Sequence, residues 1–266
     1  MRSMSTADRI LFWPRLLLSA LRAQAAYRGA FALSIGAMVL NDGVWLLFWW
    51  LYFTRFPVVH GWHLTDVAAL WAIGATAIGL THGLLGNLPR LADLIMQGEL
   101  DVYLSLPKPA LPHALLSRVH VANLGDIVFG PLVFIVMLHP TLARTALFLL
   151  AVLLGAAIFF GFTLILHTLT FYLGRADLLA QQVEISMITF STYPNPIFQG
   201  ALRILIFTVL PAGFIDSMPI SVLRSPDPRF IALAAGFAVL LNALALWFWR
   251  SGLRRYESGN LFQARL

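Results

Sequence analysis

The sequence predicts an all-α polytopic membrane protein with six transmembrane helices, and three observations carry that expectation. Of 266 residues, 59% are hydrophobic and only 11% are charged, with a mean hydropathy of +0.81. A soluble domain of this size needs more charged surface than that. The 18 basic and 12 acidic residues cluster between apolar stretches, each about 20 residues long, enough for a helix rising 1.5 Å per residue to cross ~30 Å of hydrocarbon. The alternating segments of ~10 residues that mark a membrane β-barrel are missing.

Residues 1–28 are predicted as an interfacial helix on the cytoplasmic face. Pro14 suits the first turn of a helix. Arg15, Ser19 and Arg22 share one face, while Leu16, Leu17 and Leu21 lie away from it. Such a helix rests at the headgroups; a frayed basic tail is the simpler alternative. The run at 16–18, punctuated by Arg15 and Arg22, is too short for a signal peptide.

Span one is predicted over 31–53, closing on Trp45, Phe48, Trp49, Trp50 and Tyr52, rings that favour the water–lipid boundary. Span two, 67–88, is rich in small residues (Ala72, Gly74, Ala75, Ala77, Gly79, Gly83, Gly86), which places it inside the bundle. A non-spanning loop, 89–118, follows. Span three is 119–138, and after the turn at His139-Pro140 span four is 145–170. Residues 174–184 form a polar segment.

The stretch 183–220 is broken by Pro194, Pro196, Pro211 and Pro219 and carries Arg203. One course is a short fifth span over 178–193 followed by a re-entrant outer hairpin over 194–220. The other makes 199–215 the fifth span. Irregular backbone at membrane depth must be buried in protein or line water, and the prolines suit a hairpin, so the first course is preferred. The last span is 230–249. The whole chain, 1–266, then forms one transmembrane domain.

Six crossings put both termini on one side. Thirteen of the 18 basic residues fall on that side, against four (Arg55, Arg144, Arg224, Arg229) on the other, with Arg203 unplaced. Short loops with that bias are cytoplasmic, so both termini are predicted inside an inner (cytoplasmic) membrane. The same placement explains the pI near 10.3 by topology and argues against nucleic acid as a partner.

No phosphate-binding G-x-x-x-x-G-K-[ST] loop occurs, and the only lysine, Lys108, stands between two prolines. The chain is therefore not predicted to hydrolyse ATP by itself. The absence of cysteine excludes thiolate metal sites and disulfides. No metal or catalytic motif stands out: His113 and His120 fit interfacial roles, and the seven histidines read as scattered. That scatter, and the lack of clustered acids near one face, argue against a lipid-modifying enzyme. A secondary transporter or channel is the alternative class, but no inverted internal repeat is visible.

The segment of interest is the loop after span two. Residues 91–97 form an apolar helical piece, Gly98 can end it, Glu99 and Asp101 follow, and Pro107-Lys108-Pro109 stops it. On the residues alone, this piece either meets a cytoplasmic partner or lies against the bundle or bilayer. Residues 95–109 resemble the I-x-x-G-x-L-D-x-x-L-x-x-P loop signature of type 2 ABC-transporter permeases. The tail 252–259, the proline-containing stretch from Tyr193 through Arg203 to Pro211, and the order of elements are similar to that family too. The resemblance implies an exporter permease that pairs with a second permease chain, as a homodimer or heterodimer. A separate cytoplasmic nucleotide-binding ATPase, which binds the ATP and magnesium, would dock beneath; the permease itself holds no cofactor and no catalytic residue. It also implies that Leu91, Leu94, Ile95, Gly98, Glu99, Leu100, Asp101 and Tyr103 form the helix that couples to the ATPase, with Glu99 and Asp101 facing its basic residues.

Polar residues inside the spans mark a possible translocation path: Asn41 and Asp42 in span one, Asn123 and Asp126 in span three, and Arg203. An acid at a helix centre costs at least ~2.5–3.5 kcal/mol, so it must face protein or a wet cavity. Either the acids attract cationic cargo, with Trp45, Trp49 and Trp71 available to stack on it, or they are structural, paired with Arg203 or hydrogen-bonded between helices.

Overall fold

A computed structural model describes residues 6–194, 197–202, 204, 209–215, 217–224 and 226–256. Among the described residues the chain is helical, with one isolated extended pairing, Val59 with Trp62, in an interhelical loop. Arg203 lies outside the described residues, as does the end of the tail motif at 257–259.

Helix α1 spans Thr6–Ala25. It begins before Pro14, which sits inside the helix and not in its first turn as expected. Phe12 and Trp13 pack edge-on against His113, with centroids 5.5 and 6.5 Å apart. That docking holds the turn ahead of the proline despite the backbone bond the proline removes.

Helix α2 spans Arg28–Arg55 and α3 spans Leu64–Ile78, the latter continuing as a π-helical turn over Gly79–Gly83. The start of α3 is a capping box: the His63 backbone N–H donates to Asp66 Oδ2 at 2.7 Å. Three short helices fill the loop that follows: α4 Leu91–Met96, α5 Leu100–Leu104 and α6 Ala110–Leu116. Helix α7 spans Leu124–Leu138 and starts later than the predicted span. The backbone before it is committed elsewhere, with Gly86 N–H donating to Arg118 O at 2.9 Å and His120 N–H to Gly83 O at 3.0 Å.

Helices α8 (Leu142–Thr168), α9 (Thr170–Leu173), α10 (Asp177–Ser191), α11 (Ser217–Arg224) and α12 (Pro228–Leu253) complete the chain. Pro228 at the first turn of α12 follows Asp227, whose side chain accepts from Arg229 N–H. Four helical stretches are long and apolar enough to cross a membrane: Arg28–Arg55, Leu64–Gly83, Leu142–Leu173 and Pro228–Leu253. Helices α7 and α10 have 15 residues each and reach only about 22 Å.

The small-residue helix α3 is the most buried of these stretches and packs against α7 and α8. Glycine permits the closest approaches. A Cβ on Gly130 of α7 would collide with Ala72 O and Thr76 Oγ1 of α3, and one on Gly125 would lie 2.8 Å from Ile35 O of α2. At one end of the bundle, Trp49, Phe53, Trp62, Trp71, Phe134 and Phe148 form an aromatic core. There α11 is tied to α3 by Arg224, whose Nε donates to Asp66 Oδ1 at 2.7 Å while Nη2 reaches Asp66 Oδ2 and Gly61 O. At the other end, α1, the loop helices and the residues after α12 come together: Lys108 lies 4.5 Å from the Phe12 ring, and the Phe171 ring packs on Trp249 and Tyr256.

Candidate functional site: loop, cleft and buried carboxylate

The loop between α3 and α7 has a stem and a tip. In the stem, Leu91, Leu94, Ile95 and Leu100 are buried with Leu111, Leu115, Leu164 and Trp249. The Tyr103 hydroxyl meets Ser117 Oγ at 2.9 Å, and Asn87 Nδ2 donates to Ala114 O at 2.8 Å. The apolar stripe of α4 is therefore used to fasten the loop to the bundle. Gly98 has φ +73°, a left-handed conformation that glycine adopts without strain, and it divides the predicted single helix over 91–103 into α4 and α5.

Beyond that break the surface is open. Gln97 and Glu99 are exposed, as are the apolar side chains of Val102 (62%), Leu104 (43%) and Leu106 (40%). Asp101 differs from Glu99: it turns toward the chain's own tail, beside the Tyr256 hydroxyl. Burial and the neighbouring Asp101 carboxylate together hold that phenol above its ordinary pKa.

Four of the five predicted intramembrane polar residues converge on one cleft; the fifth, Arg203, is outside the described residues. The cleft has a volume of about 290 Å³ between α2, α3, α7 and α10, and Asn41, Asp42, Asn123 and Asp126 line it with Trp45, Trp71 and Tyr193. Asp42 (5% exposed) accepts from Asn41 Nδ2 at 3.3 Å, and Asp126 (2%) from Asn123 Nδ2 at 2.9 Å. Asp42 Oδ2 has no hydrogen-bond partner among the described residues. Trp45 and Trp71 stack in the wall with centroids 6.2 Å apart and planes 21° apart. Trp49 does not line the cleft; it packs against Phe53 and the cleft-lining Tyr193 in the aromatic core.

A third constellation corrects the reading of the histidines as scattered and of Glu184 as the end of a polar segment. Glu184 on α10 is buried between α3 and α8. Its Oε1 lies 2.7 Å from His82 Nε2 and accepts from Thr163 Oγ1 at 3.0 Å; its Oε2 lies 3.2 Å from His167 Nε2. His167 Nδ1 in turn accepts from the Ala92 backbone N–H at 3.4 Å. That acceptor role fixes the tautomer, leaving the proton on Nε2 to be donated to the carboxylate. One signal was present in the sequence. His82 and His167 each interrupt a predominantly apolar helical run, and an ionisable residue there must find a protein partner; nothing in the polar segment around Glu184 marked it as that partner.

Among curated proteins and among solved structures no match is found. The family model described as ABC-2 family transporter protein matches residues 39–259, a range that takes in the small-residue helix α3, the stem-and-tip loop, the acid-lined cleft and the Glu184 cluster. The chain belongs to the ABC-2 transporter family, whose members are ABC-type membrane permeases.

Proposed function

We propose that this chain is the membrane subunit of an ATP-driven exporter, working with a second permease chain and a separate cytoplasmic ATPase. The observation that carries the reading is the division of the 91–107 loop into a buried stem and an exposed tip. An apolar tip flanked by an acid, at the same end as both described termini, suits insertion into a groove of a soluble subunit. Of the residues in the resemblance, Leu91, Leu94, Ile95 and Leu100 brace the loop. Glu99, with Val102, Leu104 and Leu106, makes the contact, and Asp101 steadies the tip through Tyr256.

With the tip facing the cytoplasm, α2, α3, α7, α8, α10 and α12 give six crossings. The two shorter ones, α7 and α10, are completed by non-helical backbone packed in protein; the outer hairpin expected over 194–220 lies partly outside the described residues. Helices α2 and α12 bury few of their residues within the chain and present surface to lipid and to the second permease chain.

Cargo passes along the cleft. Two buried acids without a basic partner among the described residues, beside a stacked tryptophan pair, favour a cationic, ring-bearing cargo.

The test is reconstitution in liposomes with the cognate nucleotide-binding subunit. Export that requires both the ATPase and hydrolysable ATP supports the proposal. Transport that persists without the ATPase, driven by an ion gradient through the buried titratable groups, would establish a secondary transporter instead.

A further inference from the structure

The buried carboxylate is placed between the loop and the cleft. Ala92 lies in the first turn of α4, where backbone N–H groups have no partner within the helix, and its N–H points at His167 Nδ1. The other ring nitrogen of His167 meets Glu184 Oε2, and His82 meets Oε1. One helical turn beyond Glu184 on α10 is Ile188, and one turn before His82 is Ile78; both line the cleft. Side chains four apart on an α-helix share a face, so a shift of Glu184 is a shift of the cleft wall at Ile188. His82 itself sits in the π-helical turn Gly79–Gly83, a local departure from α-geometry of the kind that recurs at functional sites.

From this geometry we infer that Glu184 is a positioning residue: a buried latch by which movement of the loop stem at Ala92 is carried to α10 and the walls of the cleft. The alternative, passive packing, does not account for the polarity. The carboxylate on α10 is met by His82 of the π-helical turn and by Thr163 and His167 of α8, and the loop backbone reaches it through His167, beside the buried apolar side chains of Phe159, Phe162 and Met187. A set of directional bonds fixes relative position more sharply than interchangeable apolar contacts do. Breaking one partner of such a set leaves the remaining groups buried and unpaired.

The inference rests on the loop tip being the ATPase contact, but the two are tested separately. The chain has no cysteine, so introduced cysteines are the only labelling sites. Spin labels at Val102→Cys and Thr189→Cys report tip to α10; a control pair at Val102→Cys and Leu153→Cys reports tip to α8. In lipid nanodiscs without ATPase, Glu184→Gln is expected to broaden the tip–α10 distance distribution at least twofold and leave the control pair unchanged. Equal broadening of both pairs, or of neither, would overturn the inference.

With the tip label moved to Gln97→Cys, exposed but outside the proposed contact, and the ATPase and a non-hydrolysable ATP analogue added, both labelled sites should move in the wild-type background, and only the tip in Glu184→Gln. Movement of Thr189 in that variant equal to wild type would also overturn it. Failure of the ATPase to bind at all would count against the exporter reading, while the measurements on the chain alone still decide the latch.

Discussion

The Asp66–Arg224 pair gives a stability prediction that can be worked from the structure. Arg224→Ala removes a two-point contact with Asp66, a 2.8 Å bond to Gly61 O, and a guanidinium 5.7 Å from the Trp62 ring. Breaking a fully buried pair costs about 3–5 kcal/mol, and an exposed pair contributes about 0–1 kcal/mol. Here the Asp66 side chain is 12% exposed and that of Arg224 is 42%, so solvent screening lowers the figure and about 2 kcal/mol is expected. Asp66→Asn keeps an acceptor for the His63 backbone N–H while losing the charge, and should cost about 1 kcal/mol. The assay is a double-mutant cycle on unfolding in mixed micelles titrated with SDS, followed by tryptophan fluorescence. A coupling energy of about 1 kcal/mol is expected. Single variants that add to within about 0.3 kcal/mol would refute the claim that this pair ties α11 to α3.

Three further outcomes follow from the packing and the cleft. Gly130→Leu places a side chain where Ala72 O and Thr76 Oγ1 already lie and should lower stability in the same assay by about 3 kcal/mol or more; Gly36→Leu, with nothing within 4 Å of its Cβ, should be nearly neutral. Asp42→Asn and Asp126→Asn, if the acids serve cationic cargo, should reduce binding of an organic cation such as ethidium at least fivefold in nanodiscs with little loss of stability; lowered stability with unchanged binding would assign them a structural role. Tyr256→Phe should increase the mobility of a spin label at Val102 while leaving one at Leu153 unaffected, since it frees Asp101 and the tip but not the bundle.

Much of the architecture was legible from apolar length. Spans that were long and uninterrupted, such as those now seen as α2, α8 and α12, announce themselves because lipid demands about 20 apolar residues. Gly98 was legible as a helix end because a glycine before an acidic pair and a proline stop has few other uses. What escaped the sequence depended on tertiary contacts. Pro14 marks no helix start because Phe12 and Trp13 are held by His113, a partner remote in sequence. The predicted third span loses its first turn because Arg118 and His120 pair with Gly86 and Gly83. His82, His167 and Glu184 looked unrelated because sequence spacing cannot show which faces of α3, α8 and α10 meet. Asp101 looked equivalent to Glu99 until the tail brought Tyr256 beside it. The cleft residues were found because a buried acid in a span is conspicuous by itself; its companions on the neighbouring helix were found by the same rule.

The central claim is that an ATPase engages the tip of the 91–107 loop. Measuring the affinity of the cognate nucleotide-binding subunit for the chain in nanodiscs tests it most directly, with Glu99→Lys and with Val102→Glu combined with Leu104→Glu. These side chains are exposed, so insertion and unfolding should match wild type while ATPase affinity falls at least tenfold. Wild-type affinity in both variants would contradict the account.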